Sequence, residues 1–208
     1  MANPKISGGL IGRNRLDDAS TNGAKTPMVI PASVANALAI GDPVVQTDGL
    51  ASALGYPSCD FAGAGAVTGV IDSWIGINPA NATTTPSFLF GFAGAAAGNV
   101  YRPASTVNDY YALVDTSPET QYEVSLDGTN VYGASAIGKT CILNTSVASS
   151  QLTGSGVTIS NASIAAGSVQ QFRIVGFPQS PNNDVTQAYA RYLVQINNST
   201  VTVGHAGI

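Results

Sequence analysis

The chain has 208 residues, a net charge of −4 and 10% charged residues, well below the roughly 25% of an average soluble protein. Gly, Ala, Ser, Thr and Asn take the place of the missing charges, so the surface costs little to desolvate against a partner. Such a composition is typical of extracellular β proteins and virion proteins and is uncommon in cytosolic enzymes. The length suits one substantial β domain or two small ones.

The charges are unevenly distributed along the chain. The first 25 residues carry four basic and two acidic residues, whereas the rest carry four basic and ten acidic ones. The acidic remainder argues against direct nucleic-acid binding, which needs clustered Lys and Arg. Residues 1–28 are polar, Gly-rich and aperiodic, which predicts an extended N-terminal arm. Its basic residues either dock on an acidic protein surface or merely solvate a disordered terminus: Lys5, Arg13, Arg15 and Lys25.

The start of the chain and its thiols indicate the compartment. The opening residues, MANPKISGG, lack the apolar core of a signal peptide, and no apolar run approaches the length of a membrane span. We therefore expect synthesis in a cytoplasm and no membrane partner. Cys59 and Cys141 are too few for a disulfide scaffold, so we expect free, partly buried thiols, with a disulfide as the alternative.

Short predicted strands and small-residue loops follow one another through a β domain at residues 29–197. Residues 31–38 (PASVANAL) predict one short helix, because Pro is favoured at the first helical position and Ala is the strongest helix former. Turn residues and β-branched or alternating apolar residues predict the strands. These lie at residues 42–47, 67–75, 87–92, 100–102, 109–114, 122–126, 131–132, 141–144, 156–159 and 201–203.

This pattern predicts an all-β fold, a small barrel or sandwich of short antiparallel strands with at most one short helix. Asp127-Gly128 is the clearest hairpin turn in the chain. A division into two lobes near residues 115–118 stays open, and residues 198–208 are expected to form a C-terminal tail.

Residues 170–197 (QQFRIVGFPQSPNNDVTQAYARYLVQIN) predict a long hairpin. Phe172 and Ile174 alternate with polar or smaller residues, and the same period of two returns in YLVQIN after a loop rich in Pro and Asn. Pro and Asn favour turns, and the loop is longer than a minimal hairpin needs. Such a length suits a surface element that contacts a partner.

The run FRIVGF, then PNND, then YLVQIN resembles the C-terminal hairpin of tailed-bacteriophage capsid cement (decoration) proteins. Upstream, YALVDTSPETQYEVSLDG followed by IGK resembles the middle of the same proteins, so the likeness covers about residues 109–197. The resemblance implies a virion structural protein that binds the head exterior at capsomer junctions and stabilises it against internal DNA pressure. It further implies the major capsid protein as partner, and homo-oligomers on lattice axes, with a dimer favoured over a trimer.

Residues 133–140 (GASAIGKT) match the phosphate-binding loop G-x-x-x-x-G-K-[ST]. That loop works only when a helix follows the Lys, because the amides at the helix N-terminus hold the phosphates. The following residues, CILNTSV, are β-branched and lack helical periodicity. They predict a turn that leads into a strand, and nucleotide binding is the alternative.

Other reactive groups are sparse, so we expect no enzyme activity, metal or cofactor. His205 is the only histidine and lies near the C-terminus, where we expect exposure to solvent. Asp115 is expected to form a turn, and Glu119 and Glu123 to be solvated. The alternative is that two carboxylates among these three and Asp72 form the acid and base pair of a glycosidase.

A second function class is a phage-tail or cell-surface module that recognises a glycan or receptor. Aromatic side chains stack on sugars, and three were candidates for this role: Trp74, Tyr110 and Tyr111. The alternative for these side chains is core packing.

Overall fold

The structure is a computed structural model that describes residues 3, 9–15, 25–47, 55–78, 101–104, 109–128, 132–146, 149–150 and 154–200, without the side chains of residues 13–15 and 76–78. It is 47% strand and 5% helical, and no helix of seven or more residues occurs in these ranges. The prediction of an all-β fold is confirmed.

Fourteen strands lie within the described ranges. They are β1 (Ile11–Arg15), β2 (Lys25–Ile30), β3 (Leu38–Ala39), β4 (Pro43–Thr47), β5 (Ser58–Phe61), β6 (Gly69–Asn78), β7 (Tyr101–Arg102), β8 (Asp109–Asp115), β9 (Thr120–Ser125), β10 (Thr140–Cys141), β11 (Leu143–Asn144), β12 (Thr158–Ile159), β13 (Phe172–Gly176) and β14 (Arg191–Ile196). Two short 3₁₀ turns, Gly133–Ala136 and Asn161–Ser163, complete the described elements.

A closed barrel forms from β2, β5, β4, β6 and β8, in that order around the ring. Most neighbours are antiparallel, as predicted, but β2 and β5 are parallel, with Val29 opposite Ser58. One hydrophobic core cluster fills the barrel and extends to the loop after β2 and to β3: Met28, Ile30, Val34, Leu38, Val44, Cys59, Ile71, Ala112 and Val114. Along β2 and β8, alternation places Met28, Ile30, Ala112 and Val114 in this core, because successive side chains on a strand point to opposite faces.

A second, five-stranded antiparallel sheet has the order β1-β9-β14-β13-β10. The predicted hairpin is confirmed as β13 and β14, with Phe172 opposite Ile196 and Ile174 opposite Val194. Strand β9 pairs with the other edge of β14. The alternate residues predicted to face inward, among them Phe172 and Ile174, are fully buried in a second core cluster.

The chain passes from barrel to sheet over the few residues between β8 and β9, where Thr120 N–H donates to Ser117 O at 3.3 Å. Gln171, only 1% exposed, then joins the two parts. Its Nε2 donates to the carbonyls of Gly63 and Gly65 at 2.8 Å each, and its Oε1 accepts the N–H of Leu143 at 3.0 Å. A buried amide that uses both ends fixes the barrel loop against the sheet.

The described part of the expected N-terminal arm is built into the body. Strand β1 is the edge strand next to β9, and Leu10 is 3% exposed in the second core cluster. The Leu10 N–H donates to Gly41 O at 3.0 Å. The predicted arm boundary at residue 28 is wrong, because it falls inside β2, which already pairs with β8 from Lys25 onward.

The helix predicted at residues 31–38 is absent. Residues 31–37 form a turn and an irregular stretch, and Leu38 begins β3. Helix propensity is a weak preference, and here the loop carbonyls accept hydrogen bonds from the buried guanidinium of Arg102 instead of from the backbone N–H groups of a helix. The strands predicted at residues 87–92 and 201–203 lie outside the described residues.

Candidate functional site

The structure places only part of the basic set expected to contact a capsid: Lys5, Arg13, Arg15 and Lys25. Lys5 lies outside the described residues, and for Arg13 and Arg15 the backbone alone is described, in β1. Arg15 stands opposite Thr120, and Lys25 stands opposite Asp115. Asp115 and Thr120 flank the short turn between β8 and β9. The fold therefore brings the backbones of Arg15 and Lys25 to the same end of the molecule.

This end of the molecule carries both signs of charge. The Lys25 Nζ lies 2.6 Å from Asp72 Oδ2, and the two side chains are 22% and 35% exposed. Such a partly exposed pair contributes at most about 1 kcal/mol. Asp115 is buried and accepts the N–H of Ser117 at 3.0 Å, so its predicted role as a turn-former is confirmed. Arg15 and Lys25 are therefore not part of a purely basic patch.

The predicted solvation of Glu123 is wrong. Its side chain is 4% exposed, and Oε1 lies 2.5 Å from Nη1 of Arg191, on the neighbouring strand β14. The two residues lie on the face of the sheet opposite Tyr192 and Val194, and the hairpin loop covers that face. Sequence alternation marked the face as outward, but it could not show that the loop would fold back over it.

The hairpin loop between β13 and β14 is fastened by side-chain amides. Asn183 Nδ2 donates to Arg191 O at 3.0 Å, and Arg191 N–H donates to Asn183 Oδ1 at 2.8 Å. Asn3 is 7% exposed and binds the same loop, donating to the carbonyls of Asp184 and Ala188 at 2.7 and 3.1 Å. Asn3 thus contacts the loop, and no sequence motif predicted this contact.

Arg102 is a buried cation that sequence reasoning missed. It is 0% exposed, and its guanidinium lies 5.6 Å from the ring centroid of Tyr110. Its two terminal nitrogens donate at 2.8–3.4 Å to carbonyls of one loop: Pro31, Ala32, Val34 and Asn36. Burial lowers the pKa of Arg102, and nearby Tyr110, Asp60 and Asp109 oppose that shift. A lone Arg at a strand end carries no sequence signal for this role.

The phosphate-loop match forms a turn, as predicted. Residues Gly133–Ala136 make one 3₁₀ turn, and Thr140 begins β10 and not a helix. Lys139 Nζ lies 5.7 Å from the Tyr132 ring centroid. The Thr140 hydroxyl donates to the Ser168 carbonyl at 2.8 Å. The two side chains that would hold phosphate and Mg²⁺ therefore face protein groups, and the helix N-terminus that the motif requires is missing here.

Asp42 is a fully buried carboxylate surrounded by hydrogen-bond donors. Oδ2 accepts the N–H of Ala39 and the hydroxyl of Ser149, both at 2.7 Å, and Oδ1 accepts the hydroxyl of Ser155. Burial raises the pKa of Asp42, although these hydrogen bonds pull it down. The two hydroxyls donate to a carboxylate and so hold Ser149 and Ser155 against the residue that precedes β4 of the barrel. For Ser149 or Ser155 to act as a nucleophile, a general base would have to accept its proton. His205, the only histidine of the chain, lies outside the described residues.

Both cysteines are free and fully buried, which settles the two alternatives in favour of unpaired thiols. Their burial is complete and not partial as expected. Desolvation raises the pKa of Cys59 and that of Cys141 to about 12. Thiolates are the reactive form of cysteine, so neither residue supplies a nucleophile at neutral pH.

We expect neither cysteine to react with a disulfide reagent such as DTNB in the folded protein at mildly alkaline pH. Both should react once the chain is unfolded in concentrated guanidinium chloride, and absorbance at the released thionitrobenzoate band measures this. A Ser135→Cys variant is the control, because Ser135 is exposed. Rapid release of one equivalent of thionitrobenzoate from the folded wild type would contradict the burial of the two thiols.

The aromatic side chains considered for sugar stacking pack within the protein, which confirms the core-packing alternative. Trp74 and Tyr110 meet edge to face, with ring centroids 5.8 Å apart, and both border the barrel core. Tyr111 is 2% exposed and packs on Tyr56 at 6.0 Å. Tyr111 is therefore a core residue, and Trp74 and Tyr110 are half-buried against the core and against each other.

Two further observations concern metals and membranes. No group of three or more His, Cys, Asp or Glu side chains gathers in the part of the chain that the structure describes. Among the same residues, no helix has the length and apolar character needed to cross a membrane. Comparison with protein-family models, with curated proteins and with solved structures finds no match to this chain.

Proposed function

We propose that this protein is a capsid cement protein that binds the outer surface of a tailed-phage head where capsomers meet. The major capsid protein is then its partner, and the chain acts as a homo-oligomer, with a dimer favoured over a trimer. No covalent chemistry is required of it. Each contact can be modest, because many copies on a closed lattice act together through avidity.

One observation supports the proposal above the others. The residues that resemble cement proteins include β9, β14 and β13, which are consecutive strands of one antiparallel sheet. Asn183 holds the hairpin loop that carries PNND on β14, and Asn3 bonds to the same loop. A rigid sheet with a fastened, weakly charged loop suits a contact surface, because little conformational entropy is lost on docking.

The reactive side chains of the described residues are consistent with a structural role that requires no chemical reaction. Cys59, Cys141 and Asp42 are withdrawn from solvent, and Lys139 faces an aromatic ring. The low density of charge also reduces the cost of removing water from a large contact area.

A second candidate is the glycan- or receptor-binding module, and one feature favours it. A groove at the side of the barrel is lined by Met28 and Pro57 together with hydroxyl and amide groups that suit a polyhydroxylated ligand: Thr26, Gln46, Thr68, Thr116 and Thr200. Two of the threonine pairs already bond to each other, at 3.2 Å and 3.0 Å, which reduces the number of free hydroxyls. We therefore place the cement role first.

The test is decoration of heads. Purified full-length protein is added to heads that lack it, from the phage that encodes it, and bound copies are counted by quantitative mass spectrometry after sedimentation. We expect hundreds of copies per head and a higher temperature of DNA release. A handful of copies on intact virions, located on the tail, would favour the recognition module instead, and no binding at all would exclude the cement role.

A further inference from the structure

A cavity of about 220 Å³ lies between the barrel and the second sheet. Its walls come from β6, from the turn between β3 and β4, and from β1 with the residue before it. Most of these walls are apolar: Leu10, Ile11, Ile40, Val70 and Ile71. An apolar cavity of about 150 Å³ is large enough to bind benzene. This cavity therefore has room for a small organic molecule.

The cavity exists because β1 carries a glycine where a side chain would fill the space. Gly12 lines the cavity and stands opposite Tyr122 across the pair of β1 and β9. Residues directly opposite each other in an antiparallel pair share one face of the sheet, so a side chain at position 12 would lie on the same face as Tyr122. A Cβ added to Gly12 would meet no atom within 4 Å, and Gly12 is exposed. Position 12 therefore lies at the opening of the cavity.

One end of the cavity is polar and is formed by Asp72, Asp115 and Tyr122. Tyr122 is 2% exposed, and its hydroxyl makes no hydrogen bond of acceptable distance and angle, although Thr120 and Asp115 lie close enough to affect its pKa. Burial raises the pKa of Tyr122 well above its ordinary value of 10, and both carboxylates act in the same direction. The phenol therefore keeps its proton at neutral pH, and its oxygen can accept a hydrogen bond.

The charges at this polar end leave one carboxylate without a cation. Asp72 Oδ2 accepts from Lys25 Nζ, and Asp72 Oδ1 makes no hydrogen bond within the described structure. Asp115 is 5% exposed and accepts the N–H of Ser117, but no described side chain forms an ion pair with it. Because a buried carboxylate is costly to desolvate, a cationic guest beside Asp115 would offset part of that cost.

We propose that this cavity is a binding site for a small primary alkylammonium ion. The methylene chain packs on the apolar walls, among them Leu10 and Val70. The ammonium group has three hydrogen-bond donors and no acceptor, which matches the carboxylate of Asp115, the hydroxyl of Tyr122 and the second oxygen of Asp72. An inorganic cation would leave the apolar walls unused, and a neutral alcohol would leave Asp115 without a cation. The proposal is independent of the cement role, because it concerns the purified protein alone.

The first experiment compares two ligands of the same size and shape on the wild-type protein. n-Butylammonium chloride and n-butanol are titrated separately, and ¹H–¹⁵N NMR spectra follow the backbone amides. We expect saturable shifts with n-butylammonium at a Kd of about 1 mM or tighter, largest at Gly12 and around Asp115. n-Butanol should bind at least about tenfold more weakly, because it carries no charge to pair with Asp115.

The second experiment changes the cavity. Gly12→Leu places a side chain in the opening and should abolish the saturable shifts. Gly176→Leu is the matched control, because Gly176 is also a strand glycine, and a Cβ there would meet only Leu193 Cδ1, at an ordinary contact of 4.0 Å. This control should bind n-butylammonium as the wild type does. Tyr122→Phe keeps the ring and removes the hydroxyl, so binding should weaken by about tenfold.

Three results would overturn the proposal. Wild type that shows no saturable shift with n-butylammonium has no such site. Equal affinity for n-butylammonium and n-butanol would mean that the carboxylates do not recognise the charge. Unchanged binding by a folded Gly12→Leu would place the ligand elsewhere. Circular dichroism checks the fold of each variant, and the comparison of the two ligands on wild type decides the question if a variant is unfolded.

Discussion

Replacing Arg102 by methionine is expected to lower the free energy of unfolding by about 3–5 kcal/mol. Methionine keeps an unbranched apolar stem but donates no hydrogen bond. The carbonyls of residues 31–36 that now bind the guanidinium would be left near the barrel without their donor. Urea denaturation followed by circular dichroism measures the change as a shift of the midpoint at an unchanged slope.

The same substitution at Arg173 is the matched control. Arg173 lies on β13 with a half-exposed side chain, so Arg173→Met should cost less than about 1 kcal/mol. Arg102→Lys should fall between the two, because an ammonium is a point donor that cannot span the carbonyls a planar guanidinium reaches. Equal midpoints for Arg102→Met and Arg173→Met would show that the carbonyl contacts of Arg102 do not stabilise the fold.

Replacing Asp42 by alanine is expected to cost about 3 kcal/mol. The N–H of Ala39 and the buried hydroxyls of Ser149 and Ser155 would lose their acceptor next to the barrel. Asp184→Ala is the control, because Asp184 is an exposed carboxylate and its loss should change the midpoint far less. A similar midpoint for both alanine variants would contradict a structural role for Asp42.

The Asp42→Asn variant separates the charge of Asp42 from its hydrogen bonds. Burial raises the pKa of Asp42 above its ordinary value of 3.8, so the folded state holds the proton more tightly than the unfolded chain. The stability linked to this proton is fully present below pH 3.8 and is lost as pH rises through the pKa of the folded state. Relative to Asp42→Asn, wild type should therefore gain stability as pH falls. Urea midpoints of both proteins over a series of pH values measure this, and a wild-type midpoint that rises relative to that of Asp42→Asn as pH increases would refute it.

Local alternation was enough to predict the parts of the fold that form between neighbours in sequence. Phe172 and Ile174 faced inward as their period of two required, and the hairpin partner followed after the Pro- and Asn-rich loop. The turn at Lys139 was also predictable, because β-branched residues follow it. In each case the residues that determine the structure lie within about thirty positions of one another in the sequence.

The failures lie where distant residues override a local preference. Residues 31–38 read as a helix because Pro31 and the alanines favour one, but Arg102 lies far along the chain and binds their carbonyls. Glu123 read as solvated because it sits on the outward face of β9, but Arg191 and the hairpin loop cover it.

The amino-acid order by itself determined that this chain is all-β, weakly charged and built around one long hairpin, because strand periodicity and turn residues are local properties. Only the tertiary structure decided that five strands close into a barrel and that Gln171 joins this barrel to a second sheet. It alone decided that both thiols are buried and that Arg102 shapes an exposed loop. These features arise from contacts between segments far apart in sequence, and burial and hydrogen-bond geometry exist only once those segments have met.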